Sequence, residues 1–204
     1  MAKLIAIHPQ NPQLRLISQV VDVLKSGGII AYPTDSGYAL GTMLGNKNGL
    51  DKIRQIRQLS KRHDFTLMMR DLSHIGEYAK LDNNAFRLLK KILPGAYTFI
   101  LAGTRDVPKR LLHEKKKTIG VRVSSHGVVQ ALLEELGEPL MSVSLILEGF
   151  EFYDIDDVRD AVDHQVDLII DDGYCPPEPT TVINLSGDDI EIIRHGAGDT
   201  SLIV

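Results

Sequence analysis

Two spacings of apolar residues take turns along this chain. From residue 11 to 26, Leu14, Leu16, Ile17, Val20, Val21, Val23 and Leu24 fall on one side of a helical repeat, and Gly27-Gly28 closes the run. A helix is predicted there. The apolar run Ile29-Ile30-Ala31-Tyr32 then stops at Pro33-Thr34-Asp35-Ser36-Gly37, which reads as a strand ending in a loop, with a second strand over 38–43. Residues 47–59 return to helical spacing, with Leu50, Ile53 and Ile56 on one side and Lys52, Arg54 and Arg57 between them. Ser60-Lys61-Arg62-His63-Asp64 is a polar stop. Further helices are predicted over 72–79, 83–93, 126–136 and 154–163; Asp82 caps the second and Gly137 ends the third. Further strands are predicted over 1–7, 65–69, 97–101, 118–123, 140–144, 166–170, 181–185 and 190–194. Strands and helices mix throughout, which gives an α/β class with a twisted, open, mixed sheet. No repeat, low-complexity stretch or linker interrupts the chain, so a single domain over residues 1–204 is expected.

Composition narrows this picture. The chain is 43% hydrophobic and 25% charged, ordinary for a globular protein with a full core. No apolar run reaches the length of a membrane span, and the apolar start at 1–7 is too short for a signal sequence. The single cysteine, Cys175, excludes an internal disulfide and a cysteine-cluster metal site. A cytoplasmic protein is expected. The net charge of −4 conceals a polarity: residues 52–122 hold 17 Lys and Arg against 6 Asp and Glu, whereas residues 134–191 hold 17 acids and a single base, Arg159. The first stretch suits a basic face that meets phosphates, nucleotide or RNA.

Several signatures are absent: a phosphate loop of the Walker type, a dinucleotide-binding glycine pattern, a nucleophile elbow, and histidines at metal-ligand spacing. What remains is a set of strand ends bearing hydroxyls and arginines. Thr34 and Ser36 end one strand; Thr118 and Arg122 sit on another; Ser142 and Ser144 end a third; Thr180 and Thr181 open a fourth; Arg194 closes the last. Ligands of open α/β sheets collect at strand ends. Arginine offers a planar fork to carboxylate or phosphate, and hydroxyls bond either. Each residue alone has an ordinary structural explanation, β-propensity for the threonines and a surface ion pair for the arginines. Together they suit a site for an amino acid and a nucleotide.

The motif Pro33-Thr34-Asp35-Ser36-Gly37-Tyr38-Ala39-Leu40-Gly41 resembles the Pro-Thr-(Glu/Asp)-Thr-x-Tyr-Gly-Leu-Gly signature of the Sua5/YrdC family. Thr118-Ile119-Gly120-Val121-Arg122-Val123 is similar to its Gly-Val-Arg-x-Pro strand, and Leu140-Met141-Ser142-Val143-Ser144 to its Ser-x-Ser-Ala-Asn loop. Pro179-Thr180-Thr181-Val182-Ile183-Asn184 and Ile193-Arg194-His195-Gly196 resemble its Pro-Ser-Thr-Val-Val-Asp strand and Arg-x-Gly ending. The matches keep their order over residues 10–198, and the branch resembled is YciO.

The resemblance implies a YrdC-like (RibB-like) fold with a basic concave face. It implies an L-threonylcarbamoyladenylate synthase type of reaction, in which threonine, bicarbonate and ATP give threonylcarbamoyl-AMP and pyrophosphate for the modification of an adenosine in certain tRNAs. By motif, Thr34, Arg122 and Thr180 or Thr181 would hold the threonine. Arg57, Thr118, Ser142, Ser144 and Arg194 would hold the ATP or AMP, with Mg²⁺ on the ATP phosphates and no metal held by the protein itself.

Two positions depart from the family pattern. Lys-x-Arg reads Arg57-Gln58-Leu59, and Ser-x-Asn reads Ser144-Leu145-Ile146. Losing one contact of this electrostatic kind costs roughly a hundred- to a thousandfold in rate, so weak synthase activity is expected. The competing reading is an RNA-binding protein, for double-stranded RNA or tRNA, that uses Lys61, Arg62, Lys115, Lys116 and Lys117 without robust catalysis.

Overall fold

A computed structural model describes residues 1–60, 65–187 and 189–203. Its helices are α1 (Leu14–Lys25), α2 (Lys47–Ile56), α3 (Leu72–Tyr78), α4 (Asn83–Ile92), α5 (Gly127–Leu136) and α6 (Ile155–Val162). Its strands are β1 (Lys3–Ala6), β2 (Ile30–Thr34), β3 (Gly37–Met43), β4 (Thr66–Met68), β5 (Tyr97–Ala102), β6 (Thr118–Arg122), β7 (Leu140–Ser144), β8 (Leu168–Asp171), β9 (Thr181–Asn184) and β10 (Glu191–Arg194). The expected elements form, and local chemistry moves their ends. Helix α1 starts late because Gln13, after Pro12, is extended. Helix α2 stops before residue 59 because Gln58 takes a left-handed φ of 52°. The Asp82 carboxylate accepts the Ala85 N–H at 2.7 Å to cap α4, and Gly137 ends α5 at a φ of +76°.

The strands join in one sheet, in the order β1-β8-β2-β3-β7-β4-β6-β5-β9-β10. Neighbours run parallel at β1–β8, β8–β2, β4–β6 and β5–β9, and antiparallel elsewhere. One face is clad across the strands between the two edges. There α2, α3, α4 and α6 set Leu50, Ile53, Ile75, Leu89 and Val158 against Leu40, Leu67, Phe99, Val121 and Ile183 of the sheet.

The other face is clad only in part. Helices α1 and α5 pack Val20, Leu24, Val129 and Leu132 over Ile30, Tyr32, Leu168 and Ile170. Beyond them the alternation of burial marks a bare stretch. In β5, Tyr97, Phe99 and Leu101 are buried while Thr98, Ile100 and Ala102 are half-buried. In β9, Thr181 and Ile183 are buried while Val182 and Asn184 are half-buried. Four strand steps separate β2 from β6, and neighbouring strands rotate by about 20–25° each, so the two cross at roughly a right angle. That twist carries the end of β6 over the β2–β3 turn.

Candidate functional site

The bare stretch is a shallow trough. Thr66 pairs with both Ser142 and Gly120, and Gly120 pairs with Ile100, so a row of residues crosses β7, β4, β6 and β5. Ser144 and Thr118 lie two residues beyond that row, on the same side. A cavity of about 140 Å³ opens among Thr66, Thr98, Ile100, Thr118, Gly120 and Val182. That is close to the ~150 Å³ that accepts a single aromatic ring. Gly120 keeps the floor low: a Cβ there would stand 2.8 Å from Thr66 Oγ1.

At one end, the β2–β3 turn meets Arg122. Gly37 makes the turn at a φ of +98°, with Pro177 Cα only 3.1 Å from where a Cβ would stand, so a larger residue fits neither the backbone nor the space. Thr34 Oγ1 donates to the Gly37 carbonyl at 2.6 Å and accepts from the Ser36 N–H at 3.1 Å and from Arg122 Nη2 at 3.2 Å. Arg122 Nη2 also forms an ion pair with Asp35 Oδ1. Asp35 Oδ2 accepts from the Ser125 N–H at 2.8 Å and the Ser125 hydroxyl at 3.1 Å. Burial by itself would raise the Asp35 carboxyl, but the Arg122 charge and the serine hydrogen bonds outweigh it and hold it below the usual carboxylate range. Thr34 and Arg122 are 3% and 5% exposed. Arg122 Nε is buried and has no partner among the described residues.

Ser142 lies beneath this end, where its hydroxyl and that of Tyr32 meet at 2.6 Å. Burial pushes the Tyr32 phenol up to about 12, against the opposing pull of the Ser142 hydrogen bond and the Arg122 charge. Thr180 Oγ1 meets Thr98 Oγ1 at 2.9 Å, at the cavity wall. Arg194 donates to the Thr180 carbonyl through Nε at 3.1 Å and Nη2 at 2.8 Å, and to Thr180 Oγ1 at 3.2 Å. Thr181 points the other way. Its hydroxyl is fully buried, donates to the Gly198 carbonyl at 2.7 Å and accepts from the Gly196 N–H at 3.0 Å. Of the two threonines left open by the sequence, Thr180 reaches the trough and Thr181 holds the 196–198 turn.

Two residues from Gly120 on the side away from Arg122, Thr118 is buried in the cavity lining, and Ser144, paired with Ala39 of β3, is exposed. Arg57, half-buried, donates from Nη1 to the Ile146 carbonyl, two residues past Ser144. Burial lowers its guanidinium from the ordinary value. Lys115, Lys116 and Lys117 are exposed in a turn that leads into Thr118, where the Lys115 and Lys116 N–H groups donate to His113 Nδ1 at 3.3 and 3.1 Å. Lys61 and Arg62 lie outside the described residues.

The structure thus brings Thr34 together with Arg122 and Thr180 with Arg194, and it places Arg57, just past α2, on the Ile146 carbonyl two residues after Ser144. It adds Asp35 and Ser125, to which the sequence assigned no role. The one available signal was a carboxylate between two hydroxyls at Thr34-Asp35-Ser36, facing Ser124-Ser125 two residues after Arg122.

A family profile for Sua5/YciO/YrdC, described as "Telomere recombination", matches residues 22–196. YciO of Escherichia coli (strain K12) is 54% identical over 201 residues, 98% of each chain. The crystal structure of E. coli YciO superposes with a TM-score of 0.95 at 53% identity, covering all of both chains. A threonylcarbamoyl-AMP synthase of Vibrio vulnificus (strain YJ016) is 30% identical over 158 residues, 76% of this chain and 84% of that protein. The structure of P. abyssi Sua5 complexed with L-threonine has the same fold, with a TM-score of 0.86 at 21% identity over 95% of this chain and 57% of that one.

Proposed function

This chain belongs to the Sua5/YciO/YrdC family, and from that premise we propose that its trough binds an adenine nucleotide together with L-threonine or a close analogue. The orphaned Arg122 Nε carries this reading. A buried donor left unpaired costs about 1–3 kcal/mol, and an arriving carboxylate oxygen would remove that cost. Thr34 and Asp35 already hold the guanidinium at Nη2, so the fork is aimed before the ligand arrives. A relative of the family at 30% identity is a threonylcarbamoyl-AMP synthase, and the Sua5 relative was captured with L-threonine. Both support the amino-acid end.

In this reading Thr118, Ser144, Arg57 and Arg194 hold the nucleotide. Among the described residues no group of three or more His, Cys, Asp or Glu side chains could hold a metal ion. In this reading Mg²⁺ accompanies the ATP phosphates. Leu59 packs against the core and Ile146 carries no polar group, so charge developing on the phosphates meets less stabilisation and turnover to pyrophosphate is slow. Calorimetry tests the binding. Wild type should give heat with L-threonine, with AMP and with both, and Arg122→Ala should lose the L-threonine signal. Wild type without an L-threonine signal would remove the proposal.

A second reading rests on the run of exposed lysines at 115–117, beside Thr118. RNA bound there would be held through its phosphates, with an affinity that falls steeply as salt rises.

A further inference from the structure

One buried polar pair lies outside everything assigned above. His126, which precedes α5, donates from Nε2–H to Asp172 Oδ2 at 2.7 Å, and the two side chains are 14% and 5% exposed. His126 Nδ1 and Asp172 Oδ1 are buried with no partner among the described residues. An isolated buried pair of this kind adds little to stability, because desolvation offsets the attraction. What the pair holds in place is more informative.

His126 directly follows Ser125, the residue that grips Asp35 with both its N–H and its hydroxyl. The Ser124 hydroxyl accepts the His126 N–H at 3.2 Å, and Gln130 Nε2 donates to the Ser124 carbonyl at 2.6 Å. On the far side, Gly127 is wedged against the loop before α1: a Cβ there would stand 2.0 Å from the Pro9 carbonyl oxygen. Residues 124–127 thus form a corner touched from α5, from Pro9 and from Asp172. Asp172 alone among these brings a charge from another strand end. The chain of contacts runs from Asp172 to His126, along the backbone to Ser125, then to Asp35 and Arg122.

We propose that Asp172, acting through His126, is a positioning residue for the Arg122 guanidinium. The pair fixes the corner where Ser125 can hold Asp35, and Asp35 aims the fork. The inference rests on Arg122 being the carboxylate anchor. Supports one step removed from a ligand contact matter because a site left loose by about 1 Å loses its preorganisation.

The test uses Asp172→Ala with Asp172→Asn beside it, since asparagine keeps an acceptor at the same reach. The first readout is amide hydrogen exchange at Ser125, followed by NMR. It should quicken about tenfold in Asp172→Ala, as for the slackening of one charge-assisted hydrogen bond. It should return towards the wild-type rate in Asp172→Asn, with the amides of β2 and β3 unchanged in both. The second is the L-threonine dissociation constant, which should rise in step. If Asp172→Ala does not fold, His126→Asn carries the same readouts, because asparagine there falls short of Asp172. A Ser125 exchange rate equal to wild type in the variant overturns the inference, as does a global rise across β2 and β3, which marks a merely structural pair. If wild type takes up no L-threonine, the binding proposal falls, and the Ser125 amide still decides this one.

Discussion

At one end of the trough, Thr34 and Arg122 are buried and bonded, and Asp35 ties both to the 124–126 corner. In a second group, Ser144, paired with Ala39 of β3, is exposed, Ile146 is 57% exposed with its carbonyl held by Arg57, and Leu59 packs against the core. On the proposed function, the first group is the one set for a carboxylate. The second has kept its hydroxyls and one arginine where the family pattern has further polar groups. In that reading, holding an amino acid and stabilising a phosphoryl transition state would draw on separate residues, retained unequally in this chain.

The comparison is sharpened most by restoring the weak end. Leu59→Arg combined with Ile146→Asn should raise threonine-dependent pyrophosphate release by roughly a hundredfold, the scale of one regained electrostatic contact. A turnover assay reads this, and no gain would mean that the missing groups are not what limits the reaction. Next in size is damage to the strong end. Arg122→Ala leaves Asp35 partly buried without its cation, so unfolding free energy should fall by about 3–5 kcal/mol, measured by urea melts alongside the lost L-threonine heat. A melt equal to wild type would show that the ion pair is not a buried one in solution.

A smaller effect separates the two readings of the exposed lysines. Reversing Lys115, Lys116 and Lys117 to Glu should weaken RNA binding and flatten its dependence on salt, while L-threonine heat stays as in wild type. Equal RNA affinity in the variant would sink the RNA reading. The smallest effect concerns pH. Folding lowers the Asp35 carboxyl, so its contribution is present above the unfolded value near 4 and is lost as pH falls through the folded value. Asp35→Asn should therefore show a shallower loss of stability on acidification than wild type, read by thermal melts across acid pH.

Much of this was legible in the sequence, for reasons that particular residues make plain. Strand and helix positions followed from apolar spacing and from caps such as Asp82 and Gly137. The helix end at Gln58 did not, because a left-handed backbone at a residue other than glycine leaves no compositional mark. The motif match supplied Thr34 and Arg122 but gave no reason for their contact. That contact depends on the accumulated twist between β2 and β6, a property of strand order and not of any local stretch. The choice between Thr180 and Thr181 was decided by the parity of β9, where Thr181 pairs with Tyr97 and turns inward with Ile183. The Asp35–Ser125 grip and the His126–Asp172 pair join residues 90 and 46 positions apart, and nothing in their spacing announces them.

The sheet that is upholstered on one side and left half uncovered on the other has a bearing on how such a protein changes over time. Residues such as Ile146 and Ser144, exposed beside the bare half, take no part in the buried core, so mutation can exchange their side chains with little penalty to folding. Chemistry can then drift at the rim while Leu40, Phe99 and Val121 keep the scaffold fixed beneath it, and a new reaction needs no new architecture.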